Sequence, residues 1–133
     1  MTDPQLPISE FKSKSGFRRI YMAVGYSIAG FRAAWRNEHA FRQELFVVAV
    51  ATVAALMLPV AALEKLLLIA VCVLVLIVEL INSAIEAVVD RVSLERNPLS
   101  KNAKDLGSAA VLLTLLLAVA TWIVILWPLF RHA

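Results

Sequence analysis

The chain has 133 residues, which is room for one domain. Hydrophobic residues make up 61% of it and charged residues 17%, with a strongly positive mean hydropathy, so an ordinary water-soluble core is excluded and a membrane protein is implied. The net charge of +3 is an average over strongly segregated charges, and the single Cys72 has no disulfide partner and says nothing of redox compartment.

Residues 1–15 mix Pro4, Pro7, serines and lysines without periodicity and are expected to be a disordered tail. From Phe17 the pattern changes. Phe17, Ile20, Tyr21, Val24, Ile28, Phe31 and Trp35 recur at helical spacing, flanked by Arg18, Arg19, Ser27, Arg32 and Arg36. The spacing predicts a basic amphipathic helix over 17–36, lying in the membrane interface.

Three spanning helices are predicted next, at 45–63, 66–89 and 106–127, each long enough for a ~30 Å hydrocarbon core. The first apolar run begins only at Leu45, too late for a cleaved leader, and is expected to stay in the membrane. Glu64 and Lys65 are the only charges between the first two spans, which predicts a tight turn there and antiparallel neighbours. Asn102 is a plausible N-cap for the third span, and Trp127-Pro128 closes it. The fold class is therefore an all-α membrane protein, one domain over 16–133.

Residues 12–42 and 91–104 together carry eleven Lys and Arg, against Lys65 and Arg131 alone at the opposite ends. That bias puts the N-terminus and the 91–104 connection in the cytoplasm.

The second span carries the chemistry. After thirteen uncharged residues, Leu66 to Val78, come Glu79, Asn82, Glu86 and Asp90. On a helix, the last three lie about −60°, −20° and +20° from Glu79, one stripe opening toward the cytoplasm. A charge inside a span costs ~2.5–3.5 kcal/mol on insertion scales and usually faces a site or a partner. The alternative is a cytoplasmic helix end that happens to be acidic; it covers Asp90 but not Glu79, further in. Glu38, Arg42, Glu44, Arg19, Lys104 and Asp105 reach the same level. Carboxylates suit Mg2+, Lys and Arg suit phosphate, and phosphoryl transfer needs a base for the attacking hydroxyl. No glycine-rich phosphate loop of either common type is present. Lys104 admits two readings: a lysine snorkelling to headgroups, or one side of a phosphate site at the N-terminus of the third span.

The stretch Glu79-Leu80-Ile81-Asn82-Ser83-Ala84-Ile85-Glu86-Ala87-Val88-Val89-Asp90 resembles the signature of the small prokaryotic integral-membrane diacylglycerol kinases, a family that includes undecaprenol kinases. Gly16-Phe17-Arg18-Arg19-Ile20, Ala34-Trp35-Arg36-Asn37-Glu38, Ala40-Phe41-Arg42-Gln43-Glu44 and Ala103-Lys104-Asp105-Leu106-Gly107-Ser108-Ala109-Ala110 match as well, so the likeness runs from about Gly16 to Trp127. The connection from Leu94 to Ser100 differs in character from that of the proteobacterial members.

The resemblance implies Glu79 as catalytic base with Asn82 supporting it, and Glu38 and Glu86 as ligands of the Mg2+ that accompanies ATP. It implies nucleotide contacts at Arg19, Tyr26, Glu38, Glu86, Glu95, Arg96, Asn97, Lys104 and Asp105. Substrate contacts are implied at Arg19, Arg32, Ala33, Ala34, Trp35, Ala40, Phe41, Arg42, Gln43, Glu44, Glu79 and Ser108. It further implies phosphorylation of diacylglycerol to phosphatidic acid, a homotrimer with composite sites, and the bacterial inner membrane, with no nucleic-acid partner. Undecaprenol is the alternative substrate. A small proton- or cation-coupled transporter, with Glu79 and Glu86 relaying charge, is the reading from another class; Cys72 and Thr114 alone would have to continue its polar path outward.

Overall fold

The computed structural model describes residues 16–92 and 97–131. Within them the chain forms four helices: α1 (Gly16–Asn37), α2 (His39–Met57), α3 (Ala62–Val92) and α4 (Pro98–Arg131). The expected tail at 1–15, together with Glu95 and Arg96, lies outside the described residues.

The apolar face of α1 is uncovered by the rest of the chain: Phe17, Ile20, Tyr21, Val24, Ile28, Phe31 and Trp35 are all exposed, while Ala34 alone is buried. A basic helix with such a face fits a headgroup boundary. α1 stops where Glu38 turns extended, at φ −109° and ψ 108°. Arg42 then reaches back, Nη1 donating to the carbonyls of Trp35 at 2.7 Å and Arg36 at 3.3 Å, which gives the last turn of α1 acceptor partners. Its Nη2 lies 2.6 Å from His39 Nδ1.

The first span differs from the expected 45–63. α2 begins at His39 and ends at Met57, because Pro59 pushes the residue before it out of the helical region: Leu58 has φ −69° and ψ 143°. The turn is residues 58–61, and Glu64 and Lys65 lie inside the first turns of α3 rather than forming the turn. They fasten it instead. Glu64 Oε2 accepts from the Ala61 N–H at 2.8 Å, a carboxylate at a helix N-terminus, and Lys65 Nζ donates to the Leu56 carbonyl at 2.8 Å.

The helix that carries the third span also starts earlier than the expected cap at Asn102. Asn97, not Asn102, caps α4, its Oδ1 accepting from the Leu99 N–H at 2.8 Å, with Pro98 in the first helical position where a missing N–H costs nothing. At the far end α4 runs through Pro128 to Arg131.

α2, α3 and α4 are each long and apolar enough to cross a membrane. α3, at roughly 46 Å, exceeds the ~30 Å hydrocarbon thickness, so its charged end extends beyond it. α3 is the central element and packs on both α2 and α4. Its buried residues, Leu68, Cys72, Val75, Glu79 and Asn82, alternate by four and three, a heptad seam; those of α2, Phe41, Val48 and Ala55, repeat by seven. Trp122 Nε1 donates to the Leu68 carbonyl at 3.2 Å and ties α4 to α3 in the apolar half. Ala55 is fully buried, so Ala55→Leu is expected to force α2 outward and cost about 1–3 kcal/mol, read as earlier thermal unfolding in micelles.

Candidate active site

The seam of α3 is apolar from Leu68 to Val75 and then continues, in the same register, into carboxylate and amide. Glu79 is 6% exposed and Asn82 9%, whereas Glu86 is half-buried and Asp90 exposed. The acidic stripe therefore rises from the helix bundle to its surface over three turns. Because the register is that of the core, Glu79 and Asn82 cannot turn to solvent without turning the whole seam.

Glu38 and Glu86 are close enough to Glu79 to act on its charge, and Glu79 acts likewise on Glu44. Four carboxylates from α2, α3 and the α1–α2 junction thus share one region. Glu38 holds the N-cap position of α2, yet its carboxylate makes no capping bond, which leaves it available to the centre. Asn82 Nδ2 donates to Glu86 Oε1 at 3.2 Å, fixing one carboxylate against the helix. Glu44 Oε2 is buried without a hydrogen-bond partner.

Two concavities adjoin these acids. A crevice of about 480 Å3 between α1 and α3 is lined by Gly30, Ala34, Glu38, Ser83, Ala84 and Ala87 among others. An apolar groove of about 600 Å3 between α2, α3 and α4 is lined by Glu44 with Val47, Ala51, Cys72, Leu115 and Trp122 among others. The small residues of α3 that open the crevice were not singled out from the sequence; Ser83-Ala84 followed by Ala87, at helical spacing beside the stripe, is the signal that could have found them.

Lys104 Nζ pairs with Asp90 Oδ1 at 2.5 Å, across α4 and α3, and is within electrostatic reach of Glu86. Since α4 begins at Pro98, Lys104 is not at a helix N-terminus, and the phosphate site expected there does not form in that way. Asp105 pairs with Lys101 Nζ at 2.5 Å, one turn back on the same helix. Asp90, absent from the implied ligand sets, is thus the residue that holds Lys104 beside the acids. Asn97 Oδ1 is engaged in capping.

The implied α1 side chains make no polar contact with the described acids. Among the described residues, neither Arg19, Tyr26 nor Arg32 hydrogen-bonds or ion-pairs with the acidic cluster, and Arg19, Tyr26, Arg32, Ala33 and Trp35 are exposed. Ala40, Gln43 and Ser108 are exposed as well, while Ala34 and Phe41 are buried in the bundle.

As to a metal, no group of three or more His, Cys, Asp and Glu able to hold one exists among the described residues. Two carboxylates, Glu38 and Glu86, do suit Mg2+, which takes most of its ligands from water and phosphate instead of a protein cage.

The fold and the site define a helical membrane protein with a buried acid, an amide-held carboxylate and a lysine at one end of its bundle. The chain belongs to the prokaryotic diacylglycerol kinase family, whose sequence pattern it matches over residues 25–126. It is 58% identical over 118 residues to a diacylglycerol kinase of Pseudomonas aeruginosa, covering 89% of this chain and 96% of that one. To a diacylglycerol kinase of Escherichia coli K12 it is 55% identical over 116 residues, 87% of this chain and 95% of that one. A Helicobacter pylori relative of the same name is 41% identical over 122 residues, 92% of each chain.

Proposed function

We propose that this chain transfers the γ-phosphoryl group of ATP, with Mg2+, to the free hydroxyl of diacylglycerol, giving phosphatidic acid. The observation that carries the reading is Glu79, a buried carboxylate on the core seam of an apolar helix, one turn from an amide that holds Glu86. Identities of 55–58% to diacylglycerol kinases, over nearly whole chains, support the same substrate.

Glu79 takes the proton of the lipid hydroxyl as its oxygen bonds to the γ-phosphorus and the bond to the departing ADP oxygen breaks. Glu38 and Glu86 would hold Mg2+, whose charge offsets that on the phosphates. Lys104 serves as a point charge for phosphate oxygen, exchanging Asp90 for the nucleotide. The groove beside Glu44 is shaped for acyl chain, its lining being almost wholly apolar. Among the described residues, Arg19, Tyr26 and Arg32 make no hydrogen bond or ion pair with the acids of their own chain, which favours a homotrimer in which α1 of one subunit completes a neighbour's site. Eleven cationic side chains against two support an inner-membrane protein with this end cytoplasmic.

The test is a micelle assay offering radiolabelled ATP with diacylglycerol and with undecaprenol side by side. Label is expected in phosphatidic acid; label in the polyprenol alone overturns the substrate, and label in neither overturns the kinase. In the same assay Lys104→Met is expected to raise the ATP needed for half-maximal rate by roughly 10–100-fold, a lost charge-assisted bond, with little change in that for lipid. An unchanged ATP response returns Lys104 to snorkelling.

A further inference from the structure

Gly107 is the buried residue of α4 among the described residues, while Ser108, Ala109 and Ala110 beside it are exposed. A Cβ at Gly107 would overlap Asn82 Oδ1 and lie 3.3 Å from Asn82 Cγ. So the amide of Asn82 occupies the space that any other residue type would fill. Asn82 Oδ1 is buried and without a hydrogen-bond partner, which is unfavourable on its own account. What it secures is the other end of the amide, Nδ2, which donates to Glu86 Oε1. Turned over, the amide would set its oxygen against a carboxylate, two acceptors with no proton between them.

We infer that Gly107 is a positioning residue of the phosphoryl-transfer centre: its missing side chain seats the Asn82 amide against α4 with the NH2 turned onto Glu86. The inference rests on the reading of Asn82 and Glu86 as parts of that centre. It assigns the small run on α4 a role within one chain, where only one of its residues has to be glycine. A methyl group at 107 moves the Asn82 amide to another rotamer or moves α4 away, and either displaces the hydrogen bond that orients Glu86.

The experiment is a double-mutant cycle in micelles with the full chain: wild type, Gly107→Ala, Asn82→Ala and the pair, each assayed with ATP, diacylglycerol and graded Mg2+. Gly107→Ala is expected to lower turnover by about 10²-fold, the scale of a ~1 Å misplacement, and to raise the Mg2+ requirement. In the Asn82→Ala background the same change is expected to matter by less than about threefold, because the atoms it collides with are gone. Equal losses in both backgrounds make Gly107 a mere packing residue and overturn the inference, as does wild-type turnover in Gly107→Ala. Should Gly107→Ala fail to assemble, the double variant is expected to assemble; its failure also overturns the inference. The Asn82 side-chain NH2 resonance in 15N-labelled protein gives a readout apart from catalysis. It is expected to shift in Gly107→Ala, and an unmoved resonance counts against the seating. A wild type without kinase activity, together with an Asn82 resonance that moves in Gly107→Ala, would sink the kinase reading and leave the seating in place.

Discussion

Glu79→Gln is expected to lower turnover by roughly 10²–10⁴-fold, the contribution of a general base, while ATP and lipid still bind. Glutamine keeps the shape of the side chain and its capacity to hydrogen-bond, and so fits the same buried seam position. It cannot accept the proton that the lipid hydroxyl must shed. Assembly is expected to persist or tighten, because an amide is cheaper to bury in a span than a carboxylate. Single-turnover phosphate transfer, with binding measured separately, distinguishes these effects. A variant that keeps a third of the wild-type turnover would falsify the role of Glu79 and bring back the transporter reading.

Glu86→Gln should act on the metal. The bond from Asn82 Nδ2 survives, since the glutamine oxygen accepts as well as the carboxylate did, so the geometry of α3 is retained. The charge that a hard cation requires is gone. The Mg2+ concentration for half-maximal rate is expected to rise by about 10–100-fold, with partial recovery of rate at high Mg2+. Glu38→Gln should shift the same titration in the same direction, because its carboxylate is not occupied in capping α2. Wild-type Mg2+ curves for both variants would remove these residues from the metal.

Much of this is legible in the chain itself. The interfacial helix and three spans follow from apolar periodicity and run length, since a bilayer leaves the backbone no option but to satisfy its own hydrogen bonds. The acidic stripe follows from spacing within one helix. Two helix ends fall elsewhere than expected, because proline and a nearer cap outrank the polar residues beside them. Pro59 ends α2 through the conformation it forces on Leu58, while Glu64 and Lys65 only fasten the turn. Asn97-Pro98 starts α4 a full turn before Asn102, which takes Lys104 away from the helix N-terminus.

The elements, their order and the residues that share a face of α3 are legible along the chain, because all of them depend on neighbours a few positions apart. Helix packing makes this face the core seam, so that Glu79 and Asn82 are buried while Asp90 is free to meet Lys104. The same packing puts Gly107, and not the exposed small residues after it, against Asn82. The reason is rotational. Periodicity fixes which side chains lie together on one helix, but not the angle to which that helix is turned against the next. That angle is set by packing α2, α3 and α4 together at once, and it determines which acids share a site.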